Sequence, residues 1–222
     1  LHLFQDAKTF GSLLTVPDKV KDALPRLEKL IVKALSRDEY SKSMARKLLP
    51  LVRQARLLAT EYDFVVANPP YMGSGNYNKK IKDYIQNNKL LGKANICDLI
   101  LEKSFKQVQS VGFIGMITMH QWMFRKKEKR VEFRKSILSQ KTILNLIHLG
   151  GSAFNEISGQ VVQVASFVIL NSGIKKMKTT FIRAVEGDSE NKKNILLNKE
   201  NRYNRTQDRK SVVSGKSVPQ GV

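Results

Sequence analysis

Apolar residues recur at helical spacing from Val16 to Leu58. Val20, Leu24, Leu27, Leu30, Ile31 and Leu35 mark one helical face, and Met44, Leu48, Leu49, Val52 and Ala55 mark a second. Ser36 followed by Glu39 has the capping-box spacing that restarts a helix, and Pro25 and Pro50 are expected near helix starts or at kinks. The pair reads as a helical hairpin. The period then changes. Tyr62-Asp63-Phe64-Val65-Val66-Ala67 is a short, mostly apolar run rich in β-branched and aromatic residues, the pattern of a strand buried on both faces. Gly73 to Lys93 is polar and lysine-rich and predicts a loop with at most a short helix near Ile81 to Ile85. An amphipathic helix is expected on Ile96, Leu99, Ile100, Phe105 and Val108. A second strand follows from Gly112 to Met119, a basic helix from about Phe124 to Leu138, and further strands at Thr142 to Leu149, Val161 to Leu170 and Thr179 to Val185.

Strand, helix, strand, helix, strand predicts an α/β fold with helices on both faces of a mostly parallel sheet. The connection from Leu149 to Val161 holds only about a dozen residues without helical periodicity, too few for a crossover helix, so those two strands should pair antiparallel. Beyond Glu186 apolar residues thin out. The expected organisation is therefore a helical insertion over residues 1–61, a sheet domain over 62–185 and a polar, disordered tail over 186–222. Because the chain opens at Leu1 inside an apolar segment and stops in a polar stretch, it is expected to be a fragment.

Composition narrows the partners. Lys and Arg number 39 against 19 Asp and Glu, a formal net charge of +20, which favours phosphate-bearing partners and nucleic acid first. An anionic membrane surface or a scattered solubilising charge fits the same number. The lone Cys97 excludes an internal disulfide, and the scattered His2, His120 and His148 offer no metal-ligand spacing, so no metal is expected. No apolar run approaches the ~20 residues that span a bilayer, so no membrane span is expected and the location expected is cytoplasmic.

Asn68-Pro69-Pro70-Tyr71 follows the first strand, at the end of the sheet where open α/β folds bind ligands. An aromatic amine is a poor nucleophile because its lone pair is delocalised into the ring, and two acceptors on its hydrogens draw the nitrogen toward tetrahedral geometry. The Asn68 side-chain oxygen supplies one and the Pro69 carbonyl the other, with no charged base. Two prolines hold φ near −65° and remove N–H donors, so the carbonyls are expected to face outward. Tyr71 offers a ring on which a base can stack, worth ~1–3 kcal/mol. The same four residues can also be an ordinary turn that closes a strand.

This motif with its strand, Tyr62 to Gly73, resembles that of S-adenosylmethionine-dependent amino methyltransferases, above all the adenine-specific DNA methyltransferases. The stretch Phe4 to Leu13, the helical insertion and the long polar loop resemble the large methyltransferase subunit of BREX-type phage-defence systems. The resemblance implies a partial doubly wound, Rossmann-like methyltransferase sheet, S-adenosylmethionine as cofactor, and transfer of a methyl group to the exocyclic amine of adenine in double-stranded DNA, with other defence subunits as further partners. It implies catalytic roles for Asn68, Pro69, Pro70 and Tyr71, and sets Phe154 where the family places an apolar residue against a flipped base. Asp98 reads either as a helix cap or as a cofactor contact, with Asp6 a fainter match to a cofactor-adenine contact.

The family's glycine-rich cofactor turn and its following ribose acid are missing. Phe113-Ile114-Gly115-Met116-Ile117 lacks the second glycine, Gly73-Ser74-Gly75 lacks the third of a dinucleotide fingerprint, and in Gly215-Lys216-Ser217 Lys210 stands where a phosphate loop begins with glycine. The cofactor-binding residues thus stay unknown. Lys79 and Lys80, with Lys82, Lys89 and Lys93, are expected to meet DNA phosphates. Arg125 to Lys135 forms a second basic group, Trp122 reads as a core anchor, and methylation of ribosomal RNA or protein glutamine, or plain DNA binding, stand as alternatives.

Overall fold

The computed structural model describes residues 2–124, 128–151, 153, 162–198 and 201–207. The chain divides after Glu61 into two compact units. In the first, a short helix α1 (Ala7–Phe10) precedes α2 (Asp18–Ala34) and α3 (Glu39–Ala59). These last two form the expected hairpin around Val16, Leu24 and Ala55. Glu28 of α2 receives the guanidinium groups of Arg56 and Arg53 on α3, and these hold its carboxyl below the usual range. One local expectation is corrected. Asp38, not Ser36, caps α3: its carboxylate accepts from the Ser41 amide at 2.9 Å and from the Ser41 hydroxyl at 2.7 Å. Ser36 instead donates to the Lys33 carbonyl at 3.0 Å, closing the helix before it. Pro25 and Pro50 lie inside α2 and α3, where hairpin packing outweighs the amide bond each proline forfeits.

The second unit carries β1 (Tyr62–Ala67), α4 (Lys79–Asn87), α5 (Ile96–Gln107), β2 (Val108–Met119), α6 (Gln121–Phe124), α7 (Glu128–Gln140), β3 (Thr142–Gly150), β4 (Val164–Leu170), β5 (Lys178–Arg183), α8 (Ser189–Leu197) and β6 (Arg202–Thr206). The sheet order is β1-β2-β4-β3-β5-β6. β1 and β2 pair in parallel, as do β3 and β5, while β4 runs against both of its neighbours and β6 against β5. Four strands therefore point one way and two the other. β3 and β4 pair antiparallel as their short connection requires, and β4 wedges between β2 and β3, an order that no local pattern encodes.

The core lies on one face of this sheet. Ile114 and Met116 of β2, Phe167 and Ile169 of β4, and Phe133 and Ile137 of α7 are all nearly inaccessible. Trp122 anchors it as expected, meeting Phe167 and Phe133 edge-on at 5.2 and 6.2 Å between ring centroids. The expectation that β1 is buried on both faces, with helices on either side, is not met there. Val65 and Ala67 pack on the core, while Phe64 and Val66, which alternate to the other face, are 66% and 82% exposed. An unbroken apolar run states what both faces are made of, not that both find cover.

The polar tail is a further correction. Asp188 caps α8 by accepting from the Asn191 amide at 2.9 Å, and the buried Lys192 ammonium donates to the Gly151 carbonyl. β6 completes the edge of the sheet, and Gln207 donates to the carbonyls of Leu138 and Lys141 at 2.9 and 2.7 Å. Edge pairing is a main-chain interaction and needs few apolar side chains, so composition alone reads this segment as disordered.

Candidate functional site

β1 ends at Ala67, level with Met116 of the parallel β2, and Asn68-Pro69-Pro70-Tyr71 turns away from the carboxyl end of the sheet. Asn68 and Pro70 are exposed, Pro69 is buried and Tyr71 is half-buried. Among the described residues the Tyr71 hydroxyl is buried without a hydrogen-bond partner, and burial followed by the nearby Cys97 raises its pKa.

The loop is strapped to the start of α5. The Ile96 amide donates to the Met72 carbonyl at 2.9 Å, the Ser74 amide to the Ala94 carbonyl at 3.2 Å, and Gly73 and Asn95 form an antiparallel bridge. Asn95 caps α5, its side-chain oxygen accepting from the Cys97 amide at 3.0 Å, and its amide donates to the Met119 sulfur at 3.3 Å. One residue thus ties the helix start to the end of β2. The Cys97 thiol completes the strap, at 3.2 Å from the Pro70 carbonyl and 3.7 Å from that of Pro69. The two carbonyls were expected to face outward; instead both meet this sulfur.

Asp98 does not cap α5, because Asn95 does. It lies in the first turn, 4% exposed, with its carboxyl pushed up to about 7 by burial against a partial pull down from Arg130. Burial and Asp98 push the Cys97 thiol up to about 12, and Tyr77, whose buried hydroxyl has no partner among the described residues, is raised by burial and by Asp98. Glu102 of α5 clamps the approach to this turn, accepting from the amides of Leu91 at 3.2 Å and Gly92 at 2.7 Å. Gly92 comes so close that a Cβ would lie 2.5 Å from the Asp98 carbonyl oxygen. Gly92→Ala is therefore expected to lower stability by ~1–3 kcal/mol in urea unfolding, since main chain must move to admit the methyl group.

The predicted basic loop is partly helix. Asn78 caps α4 by accepting from the Ile81 amide at 3.0 Å, Ile81 and Ile85 are buried, and Lys79 and Lys80 stand exposed in the first turn. Lys82 and Lys89 are also exposed, and Lys93 is half-buried. The second basic group divides: Lys135 is exposed, but Arg134 is buried and donates to the carbonyls of Trp122 and Met123 at 3.2 and 2.9 Å, which ties α6 to α7 instead of meeting a phosphate. Phe154, Arg125 to Lys127 and Gly215 to Ser217 lie outside the described residues. Asp6 lies in the first unit, where its carbonyl accepts from the amides of Thr9 and Phe10.

The site supplies neutral acceptors and a ring at a strand end, which suits a planar amine. For S-adenosylmethionine the described residues at this loop supply few polar contacts. The one acid at the strap, Asp98, is buried beside Cys97, and the described residues add no glycine turn or exposed acid at this loop for a ribose. Among them no group of His, Cys, Asp and Glu can hold a metal ion, and no helix is long and apolar enough to cross a membrane. Sequence reasoning passed over Asn95, Cys97 and Gly92 as site residues. Asn95 carries a local signal, an Asn opening an apolar helix, whereas the reach of Cys97 back to residues 69 and 70 leaves no trace in spacing.

Residues 9–154 match the family described as Eco57I restriction-modification methylase. The chain is 38% identical over 207 residues to adenine-specific methyltransferase BrxX of Escherichia coli O9:H4 (strain HS), covering 93% of this chain and 17% of that protein. It is 32% identical over 202 residues to adenine-specific methyltransferase PglX of Lacticaseibacillus casei (strain Zhang), covering 87% and 16%. This chain thus spans about a sixth of the length of these relatives. Among solved structures, a protein of a type I restriction-modification system superposes with a TM-score of 0.53 at 13% identity, over 97% of this chain and 60% of that one, a likeness of fold.

Proposed function

The chain belongs to the Eco57I restriction-modification methylase family, and from that premise we propose that Asn68, Pro69, Pro70 and Tyr71 hold a flipped adenine for methylation of its exocyclic amine in duplex DNA. The observation that carries this reading is a neutral acceptor pair at the carboxyl end of β1, followed by a half-buried aromatic ring. The Asn68 side-chain oxygen and the Pro69 carbonyl accept the two amine hydrogens, and Tyr71 stacks on the base, replacing part of the stacking lost on extrusion. Residues 62–185 form the catalytic part and residues 1–61 an insertion ahead of it. S-adenosylmethionine is the implied methyl donor, held by residues other than those of the strapped loop. The other defence subunits and the cytoplasmic location are part of the same proposal.

Labelled methyl transfer tests it: the full-length protein carrying this chain is expected to label DNA at adenine N6, and label in RNA or protein alone would overturn the reading. The alternatives of ribosomal RNA or protein glutamine, and of plain DNA binding, are not favoured, since both relatives are named adenine-specific methyltransferases.

The charge predicts a second behaviour. Lys79 and Lys80 in the first turn of α4 are assigned to phosphates, so duplex binding by this chain should weaken with salt and be indifferent to sequence. Each such contact contributes ~0.9 to the slope of log affinity against log salt. The double variant Lys79→Gln, Lys80→Gln is expected to lower that slope by roughly 2 and weaken all sequences alike. Fluorescence anisotropy across a salt series measures it, and an unchanged slope would remove both lysines from the interface.

A further inference from the structure

The geometry points to Cys97 as a positioning residue for methyl transfer: its thiol hydrogen goes to the nearer Pro70 carbonyl, which fixes the loop, while the Pro69 carbonyl, farther from the sulfur, keeps lone-pair capacity for the substrate amine. This rests on the reading of Asn68 to Tyr71 as the base-holding loop. The two prolines supply no N–H, which removes two of the donors nearest these carbonyls. The partner that the structure shows comes from α5. Cys97 is 1% exposed in the first turn of α5, with its sulfur 3.2 Å from the Pro70 oxygen and 3.7 Å from the Pro69 oxygen.

A thiol carries one hydrogen, and the shorter distance directs it to Pro70. The residue type matters, because S–H is a weak donor. It can orient a carbonyl without competing strongly for the neighbouring oxygen that the amine needs. Its own position is set by the residues that strap the loop. Asn95 accepts from the Cys97 amide, and the preceding Ile96 amide binds the Met72 carbonyl, so sulfur and loop are referred to the same helix start. Burial and the neighbouring Asp98 keep the group in its protonated, donating form up to about pH 12. Such a strap determines where Pro69 presents its oxygen, and a displacement near 1 Å in a reacting geometry can cost about 10²-fold in rate.

Two measurements test this. Cys97 is the single cysteine of the chain, so the infrared S–H stretch of the isolated chain reports on it alone. The band is expected below that of an alkanethiol in an apolar solvent, and a band at the free-thiol frequency would overturn the hydrogen bond. In the full-length protein, Cys97→Ala is expected to lower kcat about 10- to 100-fold with the KM for DNA unchanged, and Cys97→Ser, which keeps a donor, to recover most of the loss. An alanine variant with normal kcat, or a serine variant that fails equally while folding normally, would overturn the positioning role. Asn68→Ala in the same assay separates the premises. If it transfers normally, the base-holding reading itself fails. If it is inactive while Cys97→Ala is fully active, only the role of Cys97 falls.

Discussion

In the full-length protein, Asn68→Ala is expected to lower the rate of methyl transfer about 10²- to 10³-fold in single turnover and to leave the affinity for DNA within about threefold. The expected size follows from what one preorganised hydrogen-bonding group contributes where charge develops in a transition state, ~2.7–4 kcal/mol. As the amine nitrogen is methylated, its hydrogens become more acidic, so an acceptor on one of them binds the transition state more tightly than the ground state. Asn68 is exposed at the end of β1 and takes no part in the strap between the loop and α5. Its truncation should therefore cost no more than ~0.5 kcal/mol of stability. The lysines assigned above to phosphates are untouched by the substitution. Undiminished transfer by this variant would sink the catalytic assignment of the loop.

Asp98→Asn is expected to change stability more than any other single substitution at the site, and in a pH-dependent way. Burial raises the folded-state pKa of Asp98 from 3.8 to about 7, with Arg130 opposing. A raised acid means that the folded chain keeps a proton that the unfolded chain releases. Stability from this group is thus greatest below about pH 4, falls as pH rises toward 7, and is flat beyond, when both states are ionised. At ~1.36 kcal/mol per pH unit the window amounts to about 4 kcal/mol. Asparagine has nearly the same shape and no charge, so the variant should lose that slope and be the more stable protein at pH 8. Parallel melting curves for parent and variant between pH 4 and 8 would show that Asp98 is not the group responsible.

The helical hairpin, the strand Tyr62 to Ala67 and the placement of Asn68 at its end are legible because each rests on local rules: the 3.6 period, the β-branched run, the proline pair. Asp38 was passed over for Ser36 because two overlapping capping spacings stand side by side, and only the main-chain path chooses between them. Arg134 was grouped with phosphate-binding residues because a basic helix face looks the same whether its charges meet solvent or, as here, the carbonyls of Trp122 and Met123. Residues 186–198 and 201–207 defeated composition because their order comes from main-chain pairing and from Lys192 and Gln207 reaching back to distant carbonyls.

By itself the sequence determined the chemistry of the loop, since an Asn side chain, a carbonyl that no proline N–H can satisfy and an aromatic ring are properties of four consecutive residues. It also determined the order of the main helices and strands as far as β5 and the sign of the net charge. Only the tertiary structure decided that β4 inserts between β2 and β3, that Phe64 and Val66 stay open on the far face of β1, and that Cys97 meets the carbonyls of Pro69 and Pro70 from 28 and 27 residues away. Periodicity and residue type act over a few positions along the chain, whereas a thiol meeting a carbonyl, or a carboxyl losing its water, depends on which distant segments the packed core brings together.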